Sequence, residues 1–249
     1  MKKNKTYYTL YGLNNVLPVL MSNQCSNLKV DIVKGSKTGE NKNLIQILKE
    51  KKTFFSLIDK NIFRKKYLES RNYGIAISFN YDLVKKSIPN KFIKNNVCFL
   101  VLDQVKDPQN FGQIIRTAEC SGIDGIIYSK HNSVPITNIV LQVSQGAFLN
   151  MPIYEVVNVK NEIKKMKNIG FWSIGIENSL NVSNWFDMDY KEKTIIVFGS
   201  EGRGIREKVL EICDFKATIE MQGKINSLNV SASVSAILFE RLRQLKRIN

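Results

Sequence analysis

The chain has 249 residues, of which 43% are hydrophobic, enough for one large globular domain or two of ordinary size. Its mean hydropathy is −0.18, and no apolar run approaches the roughly 20 residues that a membrane span needs, so the composition excludes a membrane protein. A basic start without a following apolar stretch excludes a secretory signal, and we predict a cytoplasmic location.

The cysteines and the lone histidine give no sign of a metal site. Cys25, Cys98, Cys120 and Cys213 are scattered without a Cys-x-x-Cys spacing, and His131 has no second His or Cys near it in sequence. We therefore predict reduced structural thiols, no disulfide framework and no metal.

The positive charge is concentrated at one end of the chain. Residues 1–96 carry 19 Lys and Arg against 6 Asp and Glu, a net charge of +13, whereas residues 97–249 carry 18 against 16, a net charge of +2. A domain with this bias attracts a polyanion, and a nucleic acid is the expected partner. A genome that favours Lys, Asn and Ile codons is the alternative, but it would act on both halves of the chain.

The first part of the chain has the pattern of a small α/β domain. Apolar residues recur at helical spacing over 13–20 and 44–48, while 28–33 and 74–79 have the pattern of strands. The Lys-rich, Gly-punctuated stretch 34–39 predicts a solvated turn or a loop that contacts phosphate. We place this basic domain over residues 1–90.

A second domain follows a short linker. Residues 88–96 contain Pro and several Asn without a clear period, so we place the linker at 91–96 and the second domain at 97–249. There, strand and helix patterns alternate, which predicts an α/β domain with a mostly parallel sheet whose ligands bind at the carboxyl ends of the strands. The predicted strands are 97–102, 125–128, 153–157, 171–176, 194–198 and 217–220, and the predicted helices are 110–121, 137–147, 160–168, 205–212 and 228–246.

The first segment with candidate chemistry runs from the end of a predicted strand into a helix, over residues 102–118. Asn110 can cap that helix, and Arg116 lies about two turns further on, where its guanidinium can reach a phosphate or a ribose. An ion pair of Arg116 with Asp103 or Asp107 explains the same spacing equally well.

The second segment, residues 195–205, is a β-branched strand that runs into a loop with three glycines. Its spacing, G-x-x-G-x-G beginning at Gly199, differs from the dinucleotide fingerprint G-x-G-x-x-G. Glu201 would repel a phosphate, so the loop is better suited to a cationic or hydroxyl-bearing ligand. A plain tight connection is the alternative.

The third segment, residues 219–235, is a strand, a polar turn and the start of the last helix. Ser227 and Asn229 lie among small residues at the helix start, where close backbone packing is possible. We expect Leu228 to begin the buried apolar stripe of this helix. An ordinary capped helix explains the pattern as well.

Taken together and in order, the three segments resemble the motifs of the SpoU/TrmH RNA ribose 2′-O-methyltransferases, over essentially all of residues 97–249. The matching stretches are N-x-G-x-I-x-R-T-A at 110–118, I-V-F-G-S-E-G-x-G-I at 196–205 and I-x-M-x-G-x-I-N-S-L-N-V-S at 219–231. Residues 11–16 and 71–76 look like the leading domain of the ribosomal-RNA guanosine branch, which has the ribosomal L30e fold.

The resemblance implies a deep trefoil knot in the catalytic domain and S-adenosyl-L-methionine as the cofactor. It also implies a homodimer in which the first-motif Arg completes the active site of the partner subunit. By position in the motifs, the implied catalytic residues are Arg116, Asn110, Glu201, Ser227 and Asn229, and the implied cofactor-binding residues are Gly199, Ile219 and Leu228.

The implied reaction is 2′-O-methylation of a guanosine in large-subunit ribosomal RNA. Transfer RNA is the alternative substrate, and an RNA-binding or ribosome-assembly protein without turnover is the alternative to an enzyme. A Rossmann enzyme acting on a small metabolite fits neither the glycine spacing nor the charge asymmetry.

Overall fold

The computed structural model describes residues 6–68, 73–178 and 182–246. The chain divides into two compact units: the first comprises Met1–Leu83 and Thr137–Leu149, and the second comprises Val84–Ile136 and Asn150–Asn249. Arg71 and Asn72, part of the resemblance noted above, lie outside the described residues.

Strands and helices alternate along the chain. Up to residue 85 they are β1 (Thr6–Tyr11), α1 (Leu13–Met21), β2 (Ser26–Val33), α2 (Lys42–Glu50), β3 (Phe54–Ile58), α3 (Lys60–Lys66), β4 (Ile75–Tyr81) and β5 (Val84–Lys85). Then come β6 (Cys98–Asp103), α4 (Pro108–Ser121), β7 (Gly125–Ser129), α5 (Asn138–Ser144), β8 (Ile153–Val156), α6 (Val159–Lys167), β9 (Trp172–Ile176), β10 (Ser183–Asn184), β11 (Thr194–Gly199), α7 (Glu207–Leu210), β12 (Phe215–Thr218) and α8 (Val230–Lys246).

The first unit is built on a four-stranded mixed sheet in the order β1-β4-β2-β3. β4 is antiparallel to both of its neighbours, and β3 is parallel to β2. Helix α5 lies along the outer edge of β1, where Asn138 Oδ1 accepts a hydrogen bond from Thr9 N (3.1 Å) and Gln142 bonds both the N and the O of Tyr11 (2.9 Å each). Side-chain amides thus satisfy edge groups that an additional strand would otherwise pair.

The division of the chain differs from the sequence prediction in two places. The helix expected at 137–147 forms as α5, but it belongs to the first unit rather than to the second. The stretch expected as a linker belongs to the second unit, because the Phe92 ring packs on Phe99 and Phe171 at centroid distances of 5.6 and 5.3 Å. Apolar side chains hold this stretch against the core although it has no regular secondary structure.

The second unit contains an eight-stranded sheet in the order β10-β12-β9-β11-β6-β7-β8-β5. Every strand pair recorded in it is parallel, which confirms the predicted mostly parallel α/β architecture. Its central strands β6 and β11 are buried on both faces, as their continuous apolar sequences require. The carboxyl ends of β6, β9 and β11 therefore lie side by side.

No helix within the described residues is long and apolar enough to cross a membrane.

Candidate functional site

Two stretches at the carboxyl edge of the second sheet form the candidate site. The glycine loop, residues 199–206, follows β11, and the pre-helix segment, residues 219–229, joins β12 to α8. They enclose a cavity of about 590 Å³. The residues that line it include Glu177, Asn178, Gly199, Ser200, Glu201, Arg203, Gly204, Asn226, Ser227, Leu228 and Asn229.

The glycine loop closes on itself. Ser200 and Gly204 exchange backbone hydrogen bonds of 3.1 and 3.0 Å, so that the loop returns to the point at which it leaves the strand. A Cβ placed on Gly199 would lie 1.9 Å from the Gly204 carbonyl carbon. Glycine at this position is therefore a steric requirement of the closed loop.

Two carboxylates at the ends of β6 and β9, the strands on either side of β11, hold this loop. Glu177 Oε2 accepts from Ile205 N (2.9 Å), and Asp103 Oδ2 accepts from Arg206 N (3.0 Å). The Arg206 side chain adds bonds of 2.9 Å from Nε and 2.7 Å from Nη2 to Asp103 Oδ1. Because Asp103 is fully buried and engaged by Arg206, the suggested Asp103–Arg116 pair is wrong.

Asn110 connects α4 to the glycine loop. Its Nδ2 donates to Glu201 Oε1 at 2.7 Å, so the first and second sequence motifs meet at the rim of the cavity. The prediction that Asn110 caps its helix is wrong, because Asp107 is the cap and accepts from Gln109 N at 2.9 Å. The Asp-Pro step starts the helix two residues earlier, since Pro108 suits the first helical turn.

The pre-helix segment has few internal contacts. Ile219 N donates to Asn178 Oδ1 at 3.3 Å, and at the other end Asn229 Oδ1 accepts from Ser231 N at 2.9 Å. Between them, residues 220–228 make no hydrogen bond to any other described part of the chain. Leu228 is 48% exposed and lines the cavity, so its expected place in the buried stripe of α8 is wrong.

The structure brings most of the predicted site residues together. Gly199, Glu201, Ser227, Leu228 and Asn229 line the cavity, and Asn110 reaches it through Glu201. Ile219 and Arg116 are not among the described residues of the lining: Ile219 is buried, and Arg116 is exposed on α4.

Arg116 stands apart from Asn110 on the same helix. A separation of six residues at ~3.6 residues per turn places the two side chains about 120° apart around α4. Within the described residues Arg116 has no ion pair, with Asp107 or with any other carboxylate. Its guanidinium is therefore not engaged by any carboxylate of the described chain.

Two further residues of the site, Glu177 and Asn178, directly follow β9 and were not predicted from the sequence. One fixes the glycine loop and the other fixes the start of the pre-helix segment. The rule that ligands bind beyond the carboxyl ends of parallel strands is the signal that could have identified them.

Neither buried thiol of the second unit is a candidate nucleophile. Burial raises the pKa of Cys98 to about 12 and that of Cys213 to about 12, so both stay protonated at neutral pH. Within the described ranges, no group of three or more His, Cys, Asp or Glu is arranged to hold a metal ion. The cavity instead offers backbone groups, amides, hydroxyls, the carboxylates of Glu177 and Glu201, and the guanidinium of Arg203.

Comparison with known proteins gives consistent matches. The model of the SpoU rRNA Methylase family matches residues 98–239. An uncharacterized tRNA/rRNA methyltransferase of Mycoplasma genitalium is 32% identical over 247 residues, which cover 96% of this chain and 98% of that protein.

Solved structures share the fold. The SpoU methyltransferase AviRb of Streptomyces viridochromogenes, in complex with AdoMet, superposes with a TM-score of 0.80 at 19% identity, over 98% of this chain and 91% of the other. The TrmH/SpoU tRNA modifying enzyme of A. aeolicus is 29% identical, with a TM-score of 0.57 over 62% of this chain and 78% of the other.

Proposed function

This chain belongs to the SpoU methyltransferase family, and we propose that it transfers a methyl group from S-adenosyl-L-methionine to a ribose 2′-hydroxyl of RNA. The observation that carries the proposal is the 2.7 Å bond from Asn110 Nδ2 to Glu201 Oε1. It joins two sequence motifs that are 91 residues apart at the rim of one cavity.

The residues present fit the cofactor. A volume of about 590 Å³ is within the ~300–1,000 Å³ typical of small-molecule sites. Backbone groups of the glycine loop line the cavity, and the carboxylate of Glu201 favours a cation such as a sulfonium. We assign Gly199 and Leu228 to direct contact with the cofactor, and Ile219 to support from behind the lining.

When bound, the cofactor supplies an activated methyl group. The chain's own residues must align the ribose oxygen and stabilise its negative charge as its proton passes to solvent water. We assign this charge stabilisation to Arg116, because its guanidinium, with a pKa above ~12, is a poor base but a strong anion ligand. Arg116 would also bind the phosphate beside the reacting ribose.

Glu201 is a positioning residue in this proposal. It accepts a hydrogen bond from Asn110 and so fixes the direction in which that amide presents its oxygen. Ser227 faces the cavity with an exposed hydroxyl. The Asn229 side chain caps the start of α8, so we assign it to holding Ser227 in place.

We propose a homodimer in which Arg116 acts in the partner's site. The support is that Arg116 is exposed, points about 120° away from Asn110 and is absent from the described lining of its own cavity.

We also propose that residues 199–229 form the trefoil knot of this family, since both of its loops return to one cavity beside the central strands.

The proposed substrate is a guanosine in large-subunit ribosomal RNA, recognised partly by the basic first unit, which would have the L30e fold. The charge of residues 1–96 and the resemblance at 11–16 support this assignment. Transfer RNA is the second candidate, because the 29% identical A. aeolicus enzyme modifies tRNA. The cytoplasmic location remains a prediction.

The test is transfer of labelled methyl from S-adenosylmethionine to unmodified ribosomal RNA and, separately, to transfer RNA. Nucleoside mass spectrometry identifies the product. Arg116→Ala should reduce turnover by on the order of 100-fold, as loss of a group that stabilises transition-state charge does, with unchanged cofactor affinity. Mixing Arg116→Ala subunits with subunits that carry Gly199→Ala should restore part of the activity if Arg116 acts across the dimer.

Three outcomes are informative. 2′-O-methylguanosine in ribosomal RNA supports the whole proposal, and label in transfer RNA alone moves the substrate but keeps the chemistry. Failure to bind the cofactor would overturn the enzyme proposal in favour of an RNA-binding protein.

A further inference from the structure

A second, smaller pocket lies beside the cofactor cavity. It has a volume of about 350 Å³ and shares Ser200, Arg203 and Gly204 with the larger cavity. Its other side is formed by residues that follow β6 and β7, namely Gln104, Lys106 and Asn132, together with Arg206. The glycine loop is thus the wall between the two sites.

This pocket carries uncompensated positive charge. Arg206 is neutralised by Asp103, but within the described residues neither Lys106 nor Arg203 has a carboxylate partner. The acidic groups nearest in sequence are already engaged, since Asp107 caps α4 and Glu201 binds Asn110. Lys106 and Arg203 therefore line the same small pocket without a carboxylate partner in the described chain. The side-chain amides of Gln104 and Asn132 line it as well.

The backbone of the pocket is strained at two points. Gln104 and Asn132 have φ values of +66° and +59°, and they are two of the five non-glycine residues with positive φ in the described chain. A hydrogen bond of 3.0 Å from Val134 N to Val105 O ties the two loops together. Strained non-glycine residues persist where the surroundings fix them, and they concentrate at ligand sites.

The chemistry of the proposed substrate requires anion sites beyond Arg116. In RNA the 2′-hydroxyl is flanked by phosphodiesters on both sides of its nucleotide. A strand that places one ribose at the cofactor cavity must therefore place further phosphates along the neighbouring wall. Lysine and arginine are the side chains that bind such groups.

We propose that Lys106 and Arg203, with the amides of Gln104 and Asn132, bind a phosphodiester of the RNA strand next to the methylated nucleotide. This inference rests on the proposed function, because it takes RNA as the substrate. It assigns the pocket a role separate from cofactor binding. The ligand is the RNA backbone, so the pocket sets substrate affinity and register and carries no base specificity.

The experiment compares the full-length Lys106→Ala/Arg203→Ala variant with a charge-matched control, Lys164→Ala/Lys193→Ala. Lys164 lies in the second half of α6 and Lys193 at the amino end of β11, away from the glycine loop. We expect KM for RNA to rise about tenfold in the pocket variant, with kcat within about twofold. Calorimetric titration with S-adenosylmethionine measures separately any effect of Arg203 on the larger cavity, which it also lines. The dependence of log(kcat/KM) on log[salt] should become shallower by ~0.7 for each phosphate that the variant no longer binds.

Binding of a short single-stranded RNA to the cofactor-loaded protein is measured in parallel, because it is independent of turnover. If the wild type binds RNA but does not methylate it, the proposed function fails. The binding measurement still decides whether the pocket contacts the RNA backbone. Equal RNA affinity and equal salt slope in the pocket variant and the control would overturn the proposal.

Inorganic phosphate at constant ionic strength separates the RNA backbone from a free anion. One result would overturn the proposal: phosphate raises the melting temperature of the wild type but not of the pocket variant, while both proteins bind RNA equally. The pocket would then bind a free anion and not the RNA backbone.

Discussion

The two stretches that enclose the cavity are held in very different ways. The glycine loop is fixed by its own backbone pair and by the carboxylates of Glu177 and Asp103. Among the residues that the structure describes, hydrogen bonds tie the pre-helix segment only at its ends, by Ile219 to Asn178 and by the cap at Asn229. One wall of the site is thus rigid before any ligand arrives, while the other has exposed residues whose contacts a ligand would have to supply.

The two segments therefore owe their distinctive sequences to different physical causes. In the glycine loop, residue identity is set by close packing, as the contact of Gly199 with the Gly204 backbone demands. In the pre-helix segment packing sets little, because Asn226, Ser227 and Leu228 are all exposed. Their identities are therefore better explained by ligand contact than by folding.

The largest difference is expected between two glycine-to-alanine substitutions, one in the glycine loop and one in the pre-helix segment. Gly199→Ala puts a Cβ 1.9 Å from backbone carbon, and we expect a loss of about 3 kcal/mol in unfolding free energy and on the order of 100-fold in cofactor affinity. Gly223→Ala meets nothing within 4 Å and should leave the unfolding free energy within about 0.5 kcal/mol. Urea unfolding and calorimetric titration with S-adenosylmethionine measure both, and equal destabilisation would contradict the contrast.

A smaller effect is expected from the two residues that fix the walls. Glu177→Ala leaves Ile205 N without its acceptor and should weaken cofactor binding about tenfold, since an unsatisfied buried donor costs ~1–3 kcal/mol. Glu177→Gln keeps an acceptor oxygen and should restore most of the affinity. Asn178→Ala removes a longer bond of 3.3 Å and should cost less than about threefold.

Calorimetric titration of the three variants decides between positioning and charge. If Glu177→Gln is as impaired as Glu177→Ala, the negative charge itself binds the cofactor and the positioning role is wrong.

The sequence was sufficient to predict the second sheet but not all of its edges. Buried strands such as β6 and β11 are continuous apolar runs, so composition alone identifies them. The two-residue edge strands β5 and β10 are too short to show any period. In the first unit β3 was missed because Phe54 and Leu57 are exposed, so its apolar residues do not report burial.

Contacts between residues far apart in the sequence could not be predicted from the hydrophobic pattern either. The bonds that place α5 on β1 join residues 129 and 131 positions apart, and a hydrophobic pattern predicts that a helix has a buried face without saying what covers it. Likewise, motif positions predicted Asn110 and Glu201 as site residues, but not that Asp103 is engaged by Arg206.

Leu228 tests whether the pre-helix segment serves the ligand rather than the fold. Leu228→Ala removes a side chain that is 48% exposed at the cavity, so the unfolding free energy should change by less than about 0.5 kcal/mol. Cofactor affinity should fall about fivefold, because the truncation removes ~1 kcal/mol of apolar burial against the ligand. As the control, Leu238→Ala deletes a fully buried side chain of α8 and should cost about 2–5 kcal/mol in unfolding. If Leu228→Ala lowered the unfolding free energy as much as this control does, Leu228 would be a core residue and not a ligand contact.

The smallest effect concerns the opposite end of the strands that lead into the pre-helix segment. At the amino ends of β9 and β12, Asp214 accepts from Ser173 N (2.9 Å), Ser173 Oγ (2.7 Å) and Lys167 Nζ (2.7 Å). Burial alone would raise the pKa of Asp214, but the bonds from Lys167 and Ser173 outweigh it and lower that pKa. The stability that this group contributes is therefore complete above the ordinary carboxyl pKa of ~3.9 and is lost as the pH falls through the lower folded value.

Asp214→Asn should accordingly cost about 1 kcal/mol of unfolding free energy at neutral pH, and its difference from the wild type should shrink under acid conditions. Urea unfolding at a series of pH values measures this, and a difference that grew towards low pH would show the pKa to be raised instead. Cofactor affinity at neutral pH should not change, because Asp214 holds the strands at the edge away from the cavity. If affinity did fall with Asp214→Asn, the exposure of the pre-helix segment would depend on how firmly β12 is held, and its exposed residues could no longer be attributed to ligand contact alone.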